Sequence, residues 1–242
     1  MKIIGSLLWL VLTIFALTLA LLLLPVVWLL KLLGIESTRR RVAHGFAHWW
    51  GRFVFRASGS KVRVHGLDKL PPGPVVVMGN HQGIFDIMLV MGFIPKPLAF
   101  IAKKELTKMP LISTWMRNIG CLFLDRKDVR QAVAVINTGV QQLKDGTSMV
   151  IFPEGTRSRS SEMLPFRQGS MKLAVRAGVP IVPVSIKGTY GIYEQNRLIA
   201  PARVILWISE PVLPAEFGSK TGELSNLVRQ RIEDGLKQIS AQ

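Results

Sequence analysis

Residues 74–86 read PVVVMGNHQGIFD, an apolar run that ends in a polar turn. A short run rich in β-branched residues and bounded by turn residues is typical of a strand buried on both faces of a sheet. Further apolar runs of this kind occupy residues 98–102, 121–124, 149–152, 181–186 and 204–208. The pattern therefore predicts a sheet of buried strands.

Helical patterns separate several of these strands. Asp128, a favourable N-cap, opens a stretch in which apolar residues recur every three or four positions until Gly146. Similar patterns predict a helix over residues 169–177 and a last helix over residues 224–239. Strands that alternate with helices predict an α/β fold, with a mostly parallel sheet flanked by helices. In such folds the functional site lies at the carboxyl ends of the strands.

The N-terminal segment is different, because residues 3–30 contain no charged side chain. As a helix they would reach about 42 Å at roughly 1.5 Å per residue, more than the ~30 Å hydrocarbon core of a bilayer. The segment can therefore cross a membrane if it is tilted, or lie in one leaflet. A signal peptide is the alternative, since residues 18–20 form a passable cleavage site, but the apolar run continues to Leu30.

A second helix is predicted over residues 38–57. One stripe of it is apolar and largely aromatic, comprising Val42, Phe46, Trp49, Trp50 and Phe53. The opposite face is basic, comprising Arg41, His44, His48 and Arg52. This division suits a helix in the lipid headgroup layer. The two histidines could also pair on a metal ion, but no third ligand lies nearby in the sequence. We expect residues 1–60 to form a two-helix membrane-anchoring segment and residues 61–242 to form the α/β domain.

The composition supports a membrane-associated protein. The chain has 242 residues, of which 49% are hydrophobic, and its 31 Lys and Arg against 15 Asp and Glu give a net charge of +16. An apolar fraction this high excludes a disordered chain. One cysteine, Cys121, excludes a disulfide scaffold and a cysteine-built zinc site. The charge calls for an anionic partner, and an anionic bilayer supplies one, whereas no nucleic-acid-binding motif is present. Basic residues after the apolar run predict that the α/β domain lies on the cytoplasmic side of the membrane.

The first polar cluster at a strand end contains His81 and Asp86. Residues five apart do not face each other on a regular helix or strand, so the two side chains meet only if the chain turns between them. Gly83 makes such a turn easy. A carboxylate bonded to one imidazole nitrogen leaves the other nitrogen available as a general base. The alternative is a surface histidine without a catalytic role.

Two more clusters end predicted strands, at residues 120–126 and 152–158. The second of these reads FPEGTRS, and an arginine beside exposed amides and hydroxyls suits a phosphate monoester. The signatures of serine hydrolases, P-loop NTPases and dinucleotide-binding proteins are absent from the sequence.

Taken in order, these clusters resemble the four sequence blocks of the glycerolipid acyltransferases. The blocks are Asn80 to Asp86, Gly120 to Arg126, Phe152 to Ser158 and Val179 to Pro183. The resemblance implies transfer of a fatty acyl group from a thioester to the sn-2 hydroxyl of 1-acyl-sn-glycerol 3-phosphate (lysophosphatidic acid), giving phosphatidic acid. The donor would be acyl-coenzyme A or acyl-[acyl carrier protein] as co-substrate, with no bound cofactor and no metal ion.

The resemblance also implies roles for individual residues. His81 would act as the general base and Asp86 would orient it. The glycerol phosphate of the acceptor would be held by Arg126, Glu154, Gly155, Thr156 and Arg157, to which Lys103 and Lys104 could add. The fourth block, with Val179, Pro180 and Ile181, would lie near the acyl chain and the acceptor. Cys121 would be a buried strand residue, so no acyl-enzyme is expected.

Three other functions remain open at this stage. The acceptor could be glycerol 3-phosphate or another lysophospholipid, with the same chemistry. The protein could bind or carry lipids without catalysis, although binding alone does not need a base with its orienting carboxylate. It could also be a thioesterase or lipase that uses water as acceptor, although Arg126 and Arg157 favour a phosphate-bearing acceptor.

Overall fold

The chain folds around a seven-stranded sheet. In a computed structural model, residues 2–125, 128–167, 169–218 and 220–241 are described. The helices are α1 (Lys2–Leu32), α2 (Glu36–Ala57), α3 (Phe85–Phe93), α4 (Pro110–Asn118), α5 (Val129–Lys144), α6 (Lys172–Ala177) and α7 (Thr221–Ser240). The strands are β1 (Lys61–His65), β2 (Val76–Gly79), β3 (Leu98–Lys103), β4 (Leu122–Leu124), β5 (Ser148–Ile151), β6 (Ile181–Lys187) and β7 (Arg203–Ile208).

The sheet is mostly parallel, as predicted. Its strand order is β1-β7-β6-β2-β5-β3-β4. The strands β6, β2, β5, β3 and β4 all run in one direction, whereas β7 is antiparallel to β6 and β1 is parallel to β7. The carboxyl ends of the five parallel strands therefore meet at one edge of the sheet, which we call the carboxyl edge.

Alternate residues of β2 and its flanks enter two separate cores. Val75 and Val77 belong to a core that also includes residues of α1, α2 and α3. Val76 and Met78 belong to a second core, which α7 covers with its apolar stripe. Successive side chains of a strand point to opposite faces, so a strand that is apolar throughout requires cover on both faces. Helices provide this cover here, which confirms the predicted α/β architecture.

The helix α1 is held along one face. Its buried residues are Ala16, Ala20, Leu24 and Val27. Trp9 Nε1 donates to the carbonyl oxygen of Val54 at 3.1 Å, and Trp115 Nε1 donates to that of Ala20 at 3.2 Å. Most apolar residues on its remaining surface are exposed, and α1 is long and apolar enough to cross a membrane.

The helices α2 and α3 approach each other at Gly51 and Gly92. A Cβ atom on Gly92 would lie 2.5 Å from the backbone nitrogen of Arg52, so glycine permits this close approach. Next to this contact, His48 Nδ1 lies 3.1 Å from the carbonyl oxygen of Met91, and Arg52 Nε donates to that of Gly92 at 3.0 Å. Part of the predicted basic face of α2 thus binds the carboxyl end of α3 instead of facing outward.

His44 makes the stability of the fold sensitive to acid. Burial, with a smaller contribution from Arg40 and Arg39, lowers the pKa of His44 from 6.5 to about 4. The folded protein therefore binds this proton less readily than the unfolded chain, and stability is lost as the pH falls from about 6.5 towards about 4. We expect the free energy of unfolding to fall by roughly 1–3 kcal/mol over this range, and by less in His44→Gln. Urea unfolding in detergent at several pH values measures the free energy of unfolding. An equal loss in the wild type and in His44→Gln would contradict this role of His44.

Candidate active site

His81 and Asp86 meet just beyond the end of β2. Asp86 lies in the first turn of α3, as predicted, and its Oδ2 is 2.7 Å from His81 Nδ1. The Asp86 side chain is fully buried, whereas that of His81 is 14% exposed. A carboxylate can only accept a hydrogen bond, so Nδ1 carries the proton and Nε2 keeps its free lone pair. This is the arrangement that a general base requires.

Two further donors fix the Asp86 carboxylate. The backbone N–H of Gly83 donates to Oδ2 at 2.8 Å, and the hydroxyl of Thr189 donates to Oδ1. Both carboxylate oxygens thus accept hydrogen bonds, which fixes the orientation of the Asp86 side chain. Thr189 follows the carboxyl end of β6, the neighbour of β2. It is a functional candidate that the sequence analysis missed.

The turn that carries His81 is tied to the end of β6. Asn80 Nδ2 donates to the carbonyl oxygen of Ile186, and Asn80 Oδ1 accepts from the N–H of Ile186, both at 2.8 Å. Gln82 Oε1 accepts from the N–H of Gly188 at 2.9 Å. The side chains of Asn80 and Gln82 are both buried. The position of the imidazole is therefore set by hydrogen bonds across two strands.

Glu154 supports His81 from the other side. Its Oε1 accepts from the N–H of His81 at 2.7 Å, and its Oε2 accepts from the N–H of Leu164 at 3.1 Å. Burial raises the pKa of Glu154, against the lowering effect of these two hydrogen bonds. The ring of Phe152 stacks on the imidazole with 4.1 Å between centroids. The Glu154 carboxylate thus binds the backbone of the turn, whereas the resemblance had implied that it binds the acceptor.

The loop after β5 lies directly against the His81 turn. The N–H of Ser158 donates to the carbonyl oxygen of His81 at 2.7 Å, and the N–H of Arg159 donates to that of Gln82 at 3.0 Å. These bonds bring the rest of the predicted phosphate-binding segment, Gly155, Thr156 and Arg157, next to the turn that carries His81.

Within this segment, Thr156 is exposed and Gly155 has a positive φ of 71°. A Cβ atom on Gly155 would lie 2.2 Å from Arg167 Nε, so the Arg167 side chain covers this glycine. Arg157 Nη1 pairs with Glu194 Oε1 at 3.0 Å. Sequence reasoning did not single out Arg167 or Glu194, and the structure adds both to the site.

The two predicted lysines also lie at the carboxyl edge, at the end of β3. Lys103 pairs with Glu105 at 3.0 Å and Lys104 pairs with Asp125 at 3.3 Å. Because β5 separates β3 from β2, roughly 10 Å lies between the two strands. The predicted residue Arg126 lies outside the described residues.

The fourth block lies at the amino end of β6, at the opposite end of the strand from the carboxyl edge. Ile181 pairs with Val76, and the carbonyl oxygen of Pro180 accepts from the N–H of Val76 at 3.0 Å. The distance along β2 from Val76 to His81 is roughly 16 Å. The structure therefore does not bring Val179, Pro180 and Ile181 together with His81, and fully buried Ile181 packs in the second core.

Cys121 is buried, and burial raises the pKa of its thiol to about 12. A thiol with such a pKa is not a nucleophile at neutral pH. Within the described residues, no group of three or more His, Cys, Asp and Glu side chains could hold a metal ion.

Comparison with known sequences finds acyltransferases. The family model described as Acyltransferase matches residues 61–187. A 1-acyl-sn-glycerol-3-phosphate acyltransferase of Saccharomyces cerevisiae is 34% identical over 75% of this chain and 61% of its own length. The 1-acyl-sn-glycerol-3-phosphate acyltransferase alpha of Mus musculus is 33% identical over 74% of this chain and 67% of its own length. The chain thus spans about three fifths of the yeast relative.

A solved structure matches the whole chain. The crystal structure of the 1-acyl-sn-glycerophosphate (LPA) acyltransferase PlsC from Thermotoga maritima superimposes with a TM-score of 0.85 at 29% sequence identity. The match covers 100% of this chain and 98% of that one, so it includes the N-terminal helices as well as the sheet.

Proposed function

The chain belongs to the acyltransferase family, and on this premise we propose that it transfers a fatty acyl group from a thioester to the sn-2 hydroxyl of 1-acyl-sn-glycerol 3-phosphate, forming phosphatidic acid. The observation that carries the proposal is the His81–Asp86 pair, whose 2.7 Å hydrogen bond leaves Nε2 as a base at the carboxyl edge. The names of the relatives support this acceptor.

The reaction needs two proton transfers, one to Nε2 of His81 and one from it. Nε2 of His81 takes the proton of the sn-2 hydroxyl while the hydroxyl oxygen attacks the thioester carbonyl carbon. Asp86 stabilises the resulting imidazolium. The tetrahedral intermediate then collapses, its C–S bond breaks, and the leaving thiolate takes the proton from Nε2. One C–O bond forms for one C–S bond lost, and no acyl-enzyme occurs. Coenzyme A or acyl carrier protein is the thiol released.

The acceptor phosphate binds beside this turn. Arg157 is suited to it, because its side chain is 36% exposed and only Nη1 is engaged by Glu194. The neighbouring Gly155 and Thr156 add backbone and hydroxyl donors. Lys103 and Lys104 add basic side chains at the same edge of the sheet. The sequence resemblance adds Arg126 to the residues that we propose to bind the phosphate.

The acceptor is a membrane lipid, and the protein attaches to the bilayer where the acceptor lies. The outward face of α1 is apolar and exposed, and the net charge of +16 favours an anionic surface. We place the protein on the inner membrane, with its sheet on the cytoplasmic side, where the donors are found. A basic surface also attracts a polyanionic or acidic thioester carrier.

Replacing Arg157 by alanine tests the phosphate site. We expect the KM for lysophosphatidic acid to rise by about 10–100-fold, the usual value of hydrogen bonds to a charged group, with a smaller effect on kcat. Arg157→Lys keeps the positive charge beside Glu194, so its KM for lysophosphatidic acid should rise less than that of Arg157→Ala. Steady-state kinetics at a fixed acyl-coenzyme A concentration measure both constants, and an unchanged KM in Arg157→Ala would mean that the phosphate binds elsewhere.

The function itself is tested with the purified protein in detergent and a labelled acyl-coenzyme A. Lysophosphatidic acid, glycerol 3-phosphate, lysophosphatidylcholine and no acceptor are offered in parallel. We expect labelled phosphatidic acid with lysophosphatidic acid alone. Transfer to another acceptor would keep the chemistry and change the substrate, and thioester cleavage without acceptor would indicate a thioesterase. Inactivity with every acceptor, and also with acyl carrier protein thioesters, would favour a lipid-binding protein.

A further inference from the structure

Glu194 is a buried carboxylate that the reaction above does not use. It lies between the short 3₁₀ turn Thr189–Gly191 and β7, and its side chain is only 3% exposed. Its Oε1 accepts from the N–H of Ile84 at 2.8 Å and from Arg157 Nη1 at 3.0 Å. One oxygen atom thus joins the turn that carries His81 to the arginine proposed to bind phosphate.

The other oxygen of Glu194 is unusual. Oε2 is buried and has no hydrogen-bond partner among the residues that the structure describes. A buried polar atom without a partner is costly, so its retention calls for a reason beyond packing. The backbone around it is fitted to it, since a Cβ atom on Gly83 would lie 2.4 Å from Oε2. A glutamine at position 194 could still accept from Ile84, so packing and the turn alone do not require the negative charge.

We infer that Glu194 is a positioning residue that fixes Arg157 beside the His81 turn, so that the acceptor phosphate and the sn-2 hydroxyl are presented to the site together. This inference rests on the proposed function. Glu194 engages Nη1 of Arg157, which leaves the other N–H groups of the guanidinium for an anionic ligand. The charge of Glu194 orients Arg157, and its hydrogen bond with Ile84 holds the start of α3, in which Asp86 lies.

The two tasks can be separated by two substitutions. Glu194→Gln removes the charge and keeps an oxygen for Ile84, so we expect the KM for lysophosphatidic acid to rise by about 3–10-fold with kcat within about twofold. Glu194→Ala also leaves the Ile84 N–H without its acceptor, so kcat should fall as well. Glu210→Gln is the matched control, because Glu210 also pairs with a basic residue, Lys69, at 3.1 Å, and its side chain is 58% exposed. This variant should change neither KM nor kcat.

A double-mutant cycle gives the decisive readout. In the Arg157→Ala background, Glu194→Gln should add less than about twofold to the KM, because the residue that Glu194 positions is already gone. A KM in Glu194→Gln equal to that of the wild type would overturn the inference, and so would two independent effects that simply multiply. Either result leaves the proposed function standing if the wild type transfers the acyl group.

If the wild type transfers nothing, the proposed function fails, and the cycle is run with the dissociation constant of glycerol 3-phosphate from calorimetry. The positioning role would still be supported if glycerol 3-phosphate bound more weakly to Glu194→Gln than to the wild type, and if Glu194→Gln made no such difference in the Arg157→Ala background. The inference would be overturned if the wild type, the two single variants and the double variant bound glycerol 3-phosphate equally, or if none of them bound it.

Discussion

Replacing His81 by alanine is expected to lower kcat by about 10²–10⁴-fold, the usual contribution of a general base. The proton of the sn-2 hydroxyl would then have no acceptor, since Asp86 is fully buried and still accepts hydrogen bonds from Gly83 and Thr189. The KM for lysophosphatidic acid should change little, because the phosphate contacts remain. Initial rates of phosphatidic acid formation measure the effect.

The control for this experiment is Phe152→Leu. Phe152 stacks on the imidazole at 4.1 Å between ring centroids, so this variant disturbs the surroundings of His81 and keeps the base itself. We expect a loss that is smaller by at least about tenfold. Sedimentation with liposomes should show equal membrane binding for all three proteins. Near-normal turnover in His81→Ala would eliminate the proposed mechanism.

Replacing Asp86 by alanine has the second largest expected effect, a loss of about 10²–10³-fold in kcat. The substitution removes the group that orients the imidazole and the charge that stabilises its protonated form. It also leaves the N–H of Gly83 without its acceptor, and the hydroxyl of Thr189 keeps only Gln82 Oε1, at 3.3 Å. Part of the loss therefore comes from a looser turn.

Asp86→Asn separates orientation from charge. The asparagine oxygen can accept from Gly83 and His81 while its amide group faces the hydroxyl of Thr189, so the geometry is kept and only the charge is lost. We expect a loss of about 10–100-fold in kcat, between the wild type and Asp86→Ala. If the asparagine variant is as slow as the alanine variant, charge accounts for the whole effect, whereas wild-type turnover in both would exclude a catalytic role for Asp86.

The strands β2 to β7 could be predicted because they are runs of mostly apolar residues. The edge strand β1 was missed, because Lys61–His65 reads KVRVH and has no continuous apolar run. The N-cap of α5 was also readable, since Asp128 accepts from the N–H of Gln131 at 3.0 Å as its residue type suggests. The helix α3 was predicted only at its first turn. It is buried between α2 and the sheet, so its residues 85–93 are apolar on almost every side and show no helical stripe. The reversed direction of β7 depends on strand order, which no local pattern encodes.

The contact between His81 and Asp86 could be predicted because both residues lie within one strand–helix turn. Thr189, Glu194 and Arg167 were missed, since their role depends on which strand lies beside β2. One signal was available: Gly188 and Thr189 follow a buried strand, as the predicted clusters do. The supporting role of Glu154 was not readable either, because residue type alone does not show whether a carboxylate faces a ligand or a neighbouring backbone.

The attachment of α1 bears on how a detergent-free form of the protein could be prepared. Deleting α1 would uncover the core that Ala16, Ala20 and Val27 close and would leave Trp115 without its acceptor. A shortened chain is therefore expected to aggregate. Retaining α1 and exchanging only its outward residues, such as Leu22 at 68% exposure, for charged ones would preserve the inner contacts. The two faces of one helix can thus be engineered independently, the outer for solubility and the inner for folding.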